Sequence, residues 1–186
     1  MRIVTGSVKG LKLKAPKGFS TRPTSDRVKE SVFNILNGMI NFSEVDNVLD
    51  IFAGTGSLGI EALSRGASSA VFIDFATTEI ISENIKRAKF ENVTKIFRGD
   101  FVKVLKKISA QDLKFDLIFA DPPYKKNLAN ITLELIAELE LLNTGGLIVV
   151  EHGIDENLDT KIVEKIRKID YGHTTSVEIL TVNGSD

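Results

Sequence analysis

Four consecutive residues, Asp121-Pro-Pro-Tyr124, carry the groups needed to hold and activate an amine. The exocyclic nitrogen of a nucleobase is a poor nucleophile because its lone pair is delocalised into the ring. The Asp121 carboxylate and the Pro122 carbonyl can each accept one amino hydrogen, which leaves the nitrogen more pyramidal. Pro122 and Pro123 fix φ and have no N–H group, so the loop presents its carbonyls at low entropic cost. Tyr124 offers a flat face on which an unstacked base can lie. All four are candidate catalytic residues.

The second informative segment is Asp50-Ile-Phe-Ala-Gly-Thr-Gly-Ser-Leu-Gly59. Its glycines have the Gly-x-Gly-x-x-Gly spacing of a dinucleotide loop, and Asp74 follows where a ribose-binding acid is expected. Spacing alone therefore does not separate NAD from S-adenosylmethionine. Charge favours the second, because Asp50 would repel a pyrophosphate but attracts an ammonium and a sulfonium. The two segments together predict methyl transfer from S-adenosylmethionine to a base amine.

Residues that follow the predicted strands are candidates to bind this cofactor. Glycines let the backbone approach the nucleoside without a Cβ in the way. Asp74 would accept from the ribose hydroxyls, and Asp100 would accept from the adenine amine while Phe75 or Phe101 packs on the ring. The predicted cofactor site consists of Asp50, Phe52, Ala53, Gly54, Gly56, Asp74, Phe75, Asp100 and Phe101. An alternative for both segments is an ordinary turn at the end of a strand, with no binding role.

An alternation of short apolar runs and amphipathic segments positions both motifs. Strands are predicted at 47–51, 69–73, 95–98, 115–120 and 146–151, and helices at 58–65, 77–90, 101–108 and 128–141. Right-handed βαβ crossovers then force a parallel sheet with helices on both faces. Glu61 and Arg65 on the first of these helices have the spacing of an ion pair.

Both ends of the chain have a different pattern. Residues 2–5 and 11–14 predict an N-terminal β-hairpin, and a helix follows from a Thr24/Ser25 cap to Asn37-Gly38. Residues 161–170 and 174–182 predict a final hairpin at one edge of the sheet.

Composition limits the class of protein. The 186 residues are 42% hydrophobic and 26% charged, and no apolar run approaches the ~18 residues that span a bilayer. Two isolated histidines and no cysteine argue against a metal site. No apolar stretch of signal-peptide type opens the sequence, so we expect a cytoplasmic protein.

The charge distribution bears on a nucleic-acid partner. The net charge of −1 gives no general attraction for phosphate, yet residues 1–29 hold eight positive side chains and one negative. A local basic surface is therefore predicted, with Lys9, Arg22 and Arg27 as candidate RNA contacts. The alternative for these three is plain solvated charge.

The chain closely resembles the bacterial 16S ribosomal RNA guanine-N2 methyltransferase family, from its first residues to about Glu151. The resemblance is carried by Arg2-Ile-Val, Lys9-Gly-Leu, Thr21-Arg-Pro-Thr-Ser-Asp-Arg-Val-Lys-Glu30, Phe33-Asn-Ile-Leu36, the segment 49–67 and Asp121-Pro-Pro-Tyr124.

This resemblance implies an S-adenosylmethionine-dependent methyltransferase of the α/β, Rossmann-like class I fold. Its sheet would be mostly parallel and seven-stranded with an antiparallel last strand, plus an N-terminal β-hairpin extension. The implied substrate is one guanine of 16S rRNA within an assembled or partly assembled small ribosomal subunit. Asp121, Pro122 and Tyr124 match the family's amine-gripping loop, and residues 50–56 match its cofactor loop. We therefore divide the chain into an RNA-facing extension at 1–24 and a methyltransferase domain at 25–186.

Other functions stay open at this point. An adenine-N6 methyltransferase uses the same amine chemistry, although no domain for reading base edges is evident. A protein glutamine methyltransferase usually has Asn in place of Asp121. An NAD-linked oxidoreductase and a noncatalytic RNA-binding module are rivals from other classes.

Overall fold

The computed structural model describes residues 1–16, 26–124, 127–159 and 161–182, and its centre is a seven-stranded sheet. The strands are β1 (Asn47–Ile51), β2 (Ser69–Asp74), β3 (Thr94–Arg98), β4 (Phe115–Ala120), β5 (Leu142–Gly153), β6 (Val163–Tyr171) and β7 (Thr175–Val182). The helices are α1 (Asp26–Leu36), α2 (Ser57–Arg65), α3 (Thr78–Ala88), α4 (Phe101–Ser109) and α5 (Leu128–Glu138), with short 3₁₀ turns at Phe42–Glu44 and Glu91–Val93.

The strand order is β3-β2-β1-β4-β5-β7-β6. The first five of these are parallel to one another, and β7 lies antiparallel between β5 and β6. The predicted α/β fold, a mostly parallel seven-stranded sheet with an antiparallel last strand, is confirmed. The order of connection reverses between β1 and β4, which is the position where open α/β sheets bind ligands.

Two apolar cores cover the two faces of the sheet. One is formed with α1, α2 and α3, and the other with α4 and α5. Neighbouring residues of β1 alternate between them: Val48 packs in the first core and Leu49 in the second. This alternation is the period of two that a strand buried on both sides requires.

The bounds of several elements differ from the sequence-based prediction, most in α3, α5 and β5. Helix α5 ends at Glu138 rather than at residue 141, and Glu140 beyond it has φ 48°. Helix α3 ends at Ala88 because Lys89 takes a left-handed conformation with φ 62°. Strand β5 begins at Leu142, although an Asn-Thr-Gly-Gly segment follows. The register with β4 shifts there, so that Phe115 pairs with Leu142 and Leu117 with Leu147. The polar segment therefore bulges from the ladder without ending the strand.

The N-terminal hairpin is confirmed as a chain reversal with a shorter ladder than the two predicted strands. It makes a single antiparallel bridge between Arg2 and Lys12. The reason lies in α2, where the Glu61 carboxylate accepts from the backbone N–H groups of Val4 and Thr5 at 2.8 and 3.0 Å. Ile3 N–H still donates to the Leu11 carbonyl of the second arm at 3.0 Å, but the next two donors of the first arm go to α2.

A buried charge network joins this hairpin to α1 and α2. The predicted ion pair of Glu61 with Arg65 is present at 3.0 Å. Lys29, which is completely buried, lies 3.4 Å from the other Glu61 oxygen and donates to the Arg2 carbonyl at 2.6 Å. Burial lowers the pKa of Lys29, and the Glu61 charge opposes that shift. The Arg65 guanidinium also stacks over the Phe33 ring at 4.7 Å.

Within the described residues, no helix is both long and apolar enough to cross a membrane. The same part of the chain contains no cluster of three His, Asp or Glu side chains suited to a metal ion.

Candidate active site

The two predicted motifs lie side by side at the carboxyl edge of the sheet. Ile51, the last residue of β1, pairs with Ala120, the last residue of β4. One residue further, the Asp121 N–H donates to the Ile51 carbonyl at 3.5 Å. The Asp121-Pro-Pro-Tyr124 loop therefore starts next to the loop that leads from β1 into α2. This is also the position where the strand order reverses.

Asp50 lies beneath the glycine loop and is only 2% exposed. Its carboxylate accepts from the Gly59 N–H, in the first turn of α2, at 2.9 Å. Burial raises the pKa of Asp50 to about 8, although the bond from Gly59 opposes the shift and the Asp74 charge adds to it. Asp50 thus fastens the helix start to the strand end. Its predicted attraction for a cationic cofactor stays a prediction.

The three glycines of the loop serve different purposes. A Cβ on Gly59 would lie 2.4 Å from the Phe72 ring, and one on Gly56 would lie 3.3 Å from both Phe72 and Ile81. Packing of α2 against the sheet therefore explains these two glycines. Gly54 has φ +57°, and its nearest neighbour would be the Phe52 carbonyl at 3.9 Å. Gly54 is the loop glycine with open space above it, as a cofactor-facing backbone requires.

Phe52 precedes these glycines in a strained conformation. Its φ is 61°, which is uncommon for a residue other than glycine and costs on the order of 1 kcal/mol or more. The ring packs against Phe101 with 4.8 Å between centroids. This contact ties the loop after β1 to the start of α4, and Phe52 and Phe101 thus share one wall of the predicted cofactor site.

Asp74 connects the ends of β1 and β2. One carboxylate oxygen accepts from the Gly54 N–H at 2.9 Å, and the other accepts from Ala76 and Thr77 at 2.8 Å each. The carboxylate therefore holds the cofactor loop and the start of α3 together, while the ribose contact stays a prediction. Phe75, the next residue, is 74% exposed, so its ring is available to pack on an adenine.

Asp100 caps α4, where its side chain accepts from the Lys103 N–H at 3.1 Å. The carboxylate is exposed, and its predicted contact with the adenine amine stays a prediction. Ala53 is buried, and its N–H donates to the Ile73 carbonyl at 3.0 Å. Backbone contacts between neighbouring strand ends therefore arrange the predicted cofactor residues before any ligand binds.

The Asp121-Pro-Pro-Tyr124 loop combines buried and accessible residues. Pro122 is buried, Pro123 is exposed, and Asp121 and Tyr124 are half-buried. The Tyr124 hydroxyl donates to Glu151 at 2.8 Å and lies 3.2 Å from the Thr175 hydroxyl. Burial raises the pKa of the Tyr124 phenol above its usual range, which keeps the ring neutral. The Tyr124 ring, which is the aromatic plate predicted from the sequence, is therefore held at its hydroxyl end.

This geometry agrees with the comparison to known proteins. The family described as Conserved hypothetical protein 95 matches residues 1–180. The chain belongs to that family.

Two similar proteins carry names that describe a methyltransferase. A Bacillus subtilis protein named as a candidate rRNA methyltransferase, YlbH, is 39% identical over 94% of this chain and 95% of its own length. Ribosomal RNA small subunit methyltransferase D of Haemophilus influenzae is 37% identical over 86% of this chain and 82% of its own. The family resemblance predicted from the sequence is confirmed by both.

A solved structure from Escherichia coli, described as a candidate methyltransferase, yhhF, has the same architecture. Its TM-score is 0.83 at 28% identity, covering 100% of this chain and 99% of that one. The Rossmann-like methyltransferase fold predicted for this family member is therefore confirmed for the described residues.

The predicted RNA contacts are in three different situations. Lys9 is exposed in the turn of the N-terminal hairpin, and Arg27 is exposed on α1. Arg22 lies outside the described residues. Arg27 lines a surface hollow that it shares with Arg167 of β6, a residue that was not among the predicted contacts. The contacts themselves stay a prediction.

The sequence-based prediction missed three polar residues that support the site. Glu151 and Thr175 hold Tyr124, and Asn84 of α3 holds the cofactor loop. Asn84 lies among Ile81, Ile85 and Ala88 on the apolar face of its helix. A polar residue on an apolar face indicates a buried hydrogen-bonding role, so Asn84 could have been selected from the sequence. Glu151, near the end of β5, was also detectable, since Asp74, Asp100 and Asp121 stand at or just after the ends of β2, β3 and β4.

Asn84 is fully buried and makes three hydrogen bonds. Its Oδ1 accepts from the Lys14 N–H at 2.8 Å, and its Nδ2 donates to the Lys14 carbonyl at 3.0 Å and the Thr55 carbonyl at 2.9 Å. Thr55 lies between Gly54 and Gly56. One amide therefore joins the second arm of the N-terminal hairpin to the glycine loop.

Proposed function

We propose that the protein transfers the methyl group of S-adenosylmethionine to the exocyclic N2 amine of a guanine in 16S rRNA. One observation carries the proposal: the Asp121-Pro-Pro-Tyr124 loop begins beside the glycine loop, where Ile51 pairs with Ala120. An amine held by the first loop then lies next to a cofactor held by the second. Membership of a family whose relatives are named small-subunit rRNA methyltransferases supports the substrate class.

S-adenosylmethionine is the cofactor, and the residues present suit its parts. Gly54 leaves room for a close backbone approach, and Phe75 is an exposed ring that packing does not explain. Asp74 and Asp100 give the neighbourhood acidic character, which suits a ligand that carries positive charge and no phosphate. When bound, S-adenosylmethionine supplies an electrophilic methyl group.

The chain's own residues orient the amine. The Asp121 carboxylate and the Pro122 carbonyl accept the two amino hydrogens and aim the nitrogen lone pair towards the cofactor side. Tyr124 stacks on the base, a contact worth roughly 1–3 kcal/mol in single-strand binders. Positioning of the reacting atoms can contribute ~7–11 kcal/mol in favourable cases. The proton leaves the nitrogen for the Asp121 carboxylate.

The rival NAD-linked oxidoreductase is disfavoured by the start of α2. A dinucleotide binds its pyrophosphate with the N–H groups of this first turn. Here the Gly59 N–H is already donated to the buried Asp50. Adenine-N6 methylation of a nucleic acid needs the same amine contacts, so the identity of the base is decided by the methylation assay.

The RNA partner is proposed to be small-subunit rRNA in an assembled or partly assembled subunit. The extension proposed at 1–24 presents exposed Lys9 at its turn and packs on α2 through Glu61. Arg22 and Arg27 complete the proposed contacts, and shape with a few phosphate contacts supplies the docking.

The test is transfer of radiolabelled methyl groups to small subunits from a strain that lacks the gene, followed by mapping of the modified nucleotide. We expect label on the N2 of one guanine with the wild-type protein. Asp121→Ala should abolish it, whereas Glu134→Ala, an exposed acid on α5, should not. Label on adenine N6, or full activity of Asp121→Ala, would remove the assignment. Binding of NADH in preference to S-adenosylhomocysteine would favour the oxidoreductase.

A further inference from the structure

We infer that Glu151 and Thr175 are positioning residues that set the orientation of the Tyr124 ring for the incoming base. The inference rests on the proposed function, because it concerns the aromatic plate of the same site. It adds two residues from the antiparallel side of the sheet to a site otherwise built from parallel strand ends.

The two partners of Tyr124 are fixed far more firmly than Tyr124 itself. Glu151 belongs to β5 and pairs with Val177, and Thr175 is the first residue of β7 and pairs with Gly153. Thr175 is only 5% exposed. Both side chains therefore project from a central ladder of the sheet, while Tyr124 stands in an irregular loop.

Two contacts at the hydroxyl restrict the ring in a way that one would not. A tyrosine in a loop keeps rotational freedom about χ1 and χ2. The Glu151 bond of 2.8 Å fixes the far end of the ring, and the Thr175 contact of 3.2 Å comes from a different strand. With the hydroxyl held from two directions, the plane of the ring is set before a base arrives, and less entropy is lost on binding.

Glu151 and Thr175 interact with the Tyr124 hydroxyl in different ways, one as acceptor and one as donor. Tyr124 has one hydroxyl hydrogen, which it donates to the Glu151 carboxylate. Thr175 can then donate its own hydrogen to the phenol oxygen. Burial is the main cause of the raised pKa of Tyr124, and the Glu151 charge adds to the rise, which agrees with a phenol that stays the donor. Glu151 thus acts through Tyr124, whereas Asp121 contacts the amine.

The carboxylates of Asp121 and Glu151 lie on neighbouring chain segments. Ala120 pairs with Val150, so Asp121 and Glu151 are the next residues on adjacent parallel strands. One Glu151 carboxylate oxygen accepts the hydrogen bond from the Tyr124 hydroxyl. Orientation of the ring and capture of the amine are therefore divided between two acids of the same edge.

The composition of the chain allows Tyr124 to be observed directly. The protein has two tyrosines and no tryptophan. Tyr171, whose hydroxyl bonds Ser31 at 2.9 Å, can be replaced by Phe, which leaves Tyr124 as the single source of phenol absorbance and fluorescence. In this Tyr171→Phe background we expect Tyr124 to ionise at lower pH in Glu151→Ala. In Thr175→Val it should ionise at higher pH.

The kinetic test uses methyl transfer to small subunits in a double-mutant cycle. Tyr124→Phe and Glu151→Ala should each lower kcat/KM by roughly tenfold at most, the range of one net hydrogen bond. Their combination should cost no more than either alone, because both remove the same bond. Glu151→Gln keeps an acceptor for the phenol and should restore most of the activity lost in Glu151→Ala.

Effects of Tyr124→Phe and Glu151→Ala that multiply would overturn the positioning role, as would an unchanged Tyr124 titration in Glu151→Ala. Failure of the proposed function has a different signature. In that case the wild-type protein and Asp121→Ala methylate small subunits equally poorly, while the spectroscopic titration still reports whether Glu151 and Thr175 hold the ring. Far-ultraviolet circular dichroism of each variant identifies any that fails to fold, and Tyr124→Phe then carries the test.

Discussion

Replacement of Asn84 should weaken both the fold and the predicted cofactor site, although Asn84 is fully buried and is not one of the predicted site residues. Its three hydrogen bonds join Lys14 and Thr55 to α3. Each net hydrogen bond contributes about 1 kcal/mol, so Asn84→Ala should lower the free energy of unfolding by ~3 kcal/mol. Binding of S-adenosylhomocysteine requires the glycine loop to be in place. Loss of the bond to Thr55 alone should therefore weaken the affinity of the protein for S-adenosylhomocysteine roughly fivefold.

The isosteric variant Asn84→Asp separates the acceptor from the donors. It keeps the bond from the Lys14 N–H but turns a carboxylate oxygen towards two carbonyls. At neutral pH it should be at least as damaging as Asn84→Ala, because a buried charge would face two acceptors. Stability should recover as the pH falls and the acid is protonated, since a carboxylic acid can donate one hydrogen bond.

The measurements are urea unfolding followed by far-ultraviolet circular dichroism and calorimetric titration with S-adenosylhomocysteine. Asn92→Ala, an exposed asparagine after α3, is the control and should change neither quantity. Two results would contradict the assignment. One is a change in unfolding free energy of less than ~0.5 kcal/mol for Asn84→Ala, the usual range of surface substitutions. The other is an unchanged ligand affinity despite lower stability.

Three further outcomes follow from the structure. Lys29→Met should lower the unfolding free energy by about 3–5 kcal/mol, because it leaves Glu61 buried without one partner. In urea unfolding, the double variant Lys29→Met with Glu61→Gln should lose less stability than the two single variants added together. Asp50 has a pKa of about 8 in the native state, whereas the unfolded state loses the same proton near pH 4. The native state therefore binds one more proton between about pH 4 and pH 8. The free energy of unfolding should fall through this range by about 1.4 kcal/mol per pH unit. Asp50→Asn should flatten that part of the pH profile, and an unchanged slope would show that Asp50 is not the group responsible. Gly6→Ala and Gly10→Ala form a matched pair with φ +88° and +85°, but only at Gly6 would the Cβ meet an atom, the Ser64 carbonyl oxygen at 1.7 Å. Gly6→Ala should therefore be much the more destabilising of the two in thermal unfolding, and equal effects would refute the close packing of hairpin on α2.

The sheet and the adjacency of the two motifs were predictable because their signals are local. A strand buried on both faces reads as an apolar run, as residues 115–120 do, and right-handed βαβ crossovers then make the sheet parallel. The motif Asp121-Pro-Pro-Tyr124 follows that run directly. Its place at the edge of the sheet needed no knowledge of distant contacts.

The residues that the sequence did not reveal are those decided by distant partners. Charged side chains are usually exposed, so the complete burial of Lys29 and Glu61 could not be expected without the hairpin that covers them. The short ladder of the hairpin has the same origin, because the donors of Val4 and Thr5 go to α2. Thr175 lies far along the chain from Tyr124, and only the insertion of β7 beside β5 brings them together.

The position of β7 makes the anchoring of Tyr124 depend on a strand that comes late in the sequence. Residues 175–182 follow β6 in the chain, yet they must enter between β5 and β6. A growing polypeptide that has delivered only the first six strands leaves β5 as an open border, and Tyr124 then has at most one of its two anchors. The orientation of Tyr124 therefore depends on the docking of β7, whereas the glycine loop is held by Asp50, Asp74 and Asn84 from earlier elements.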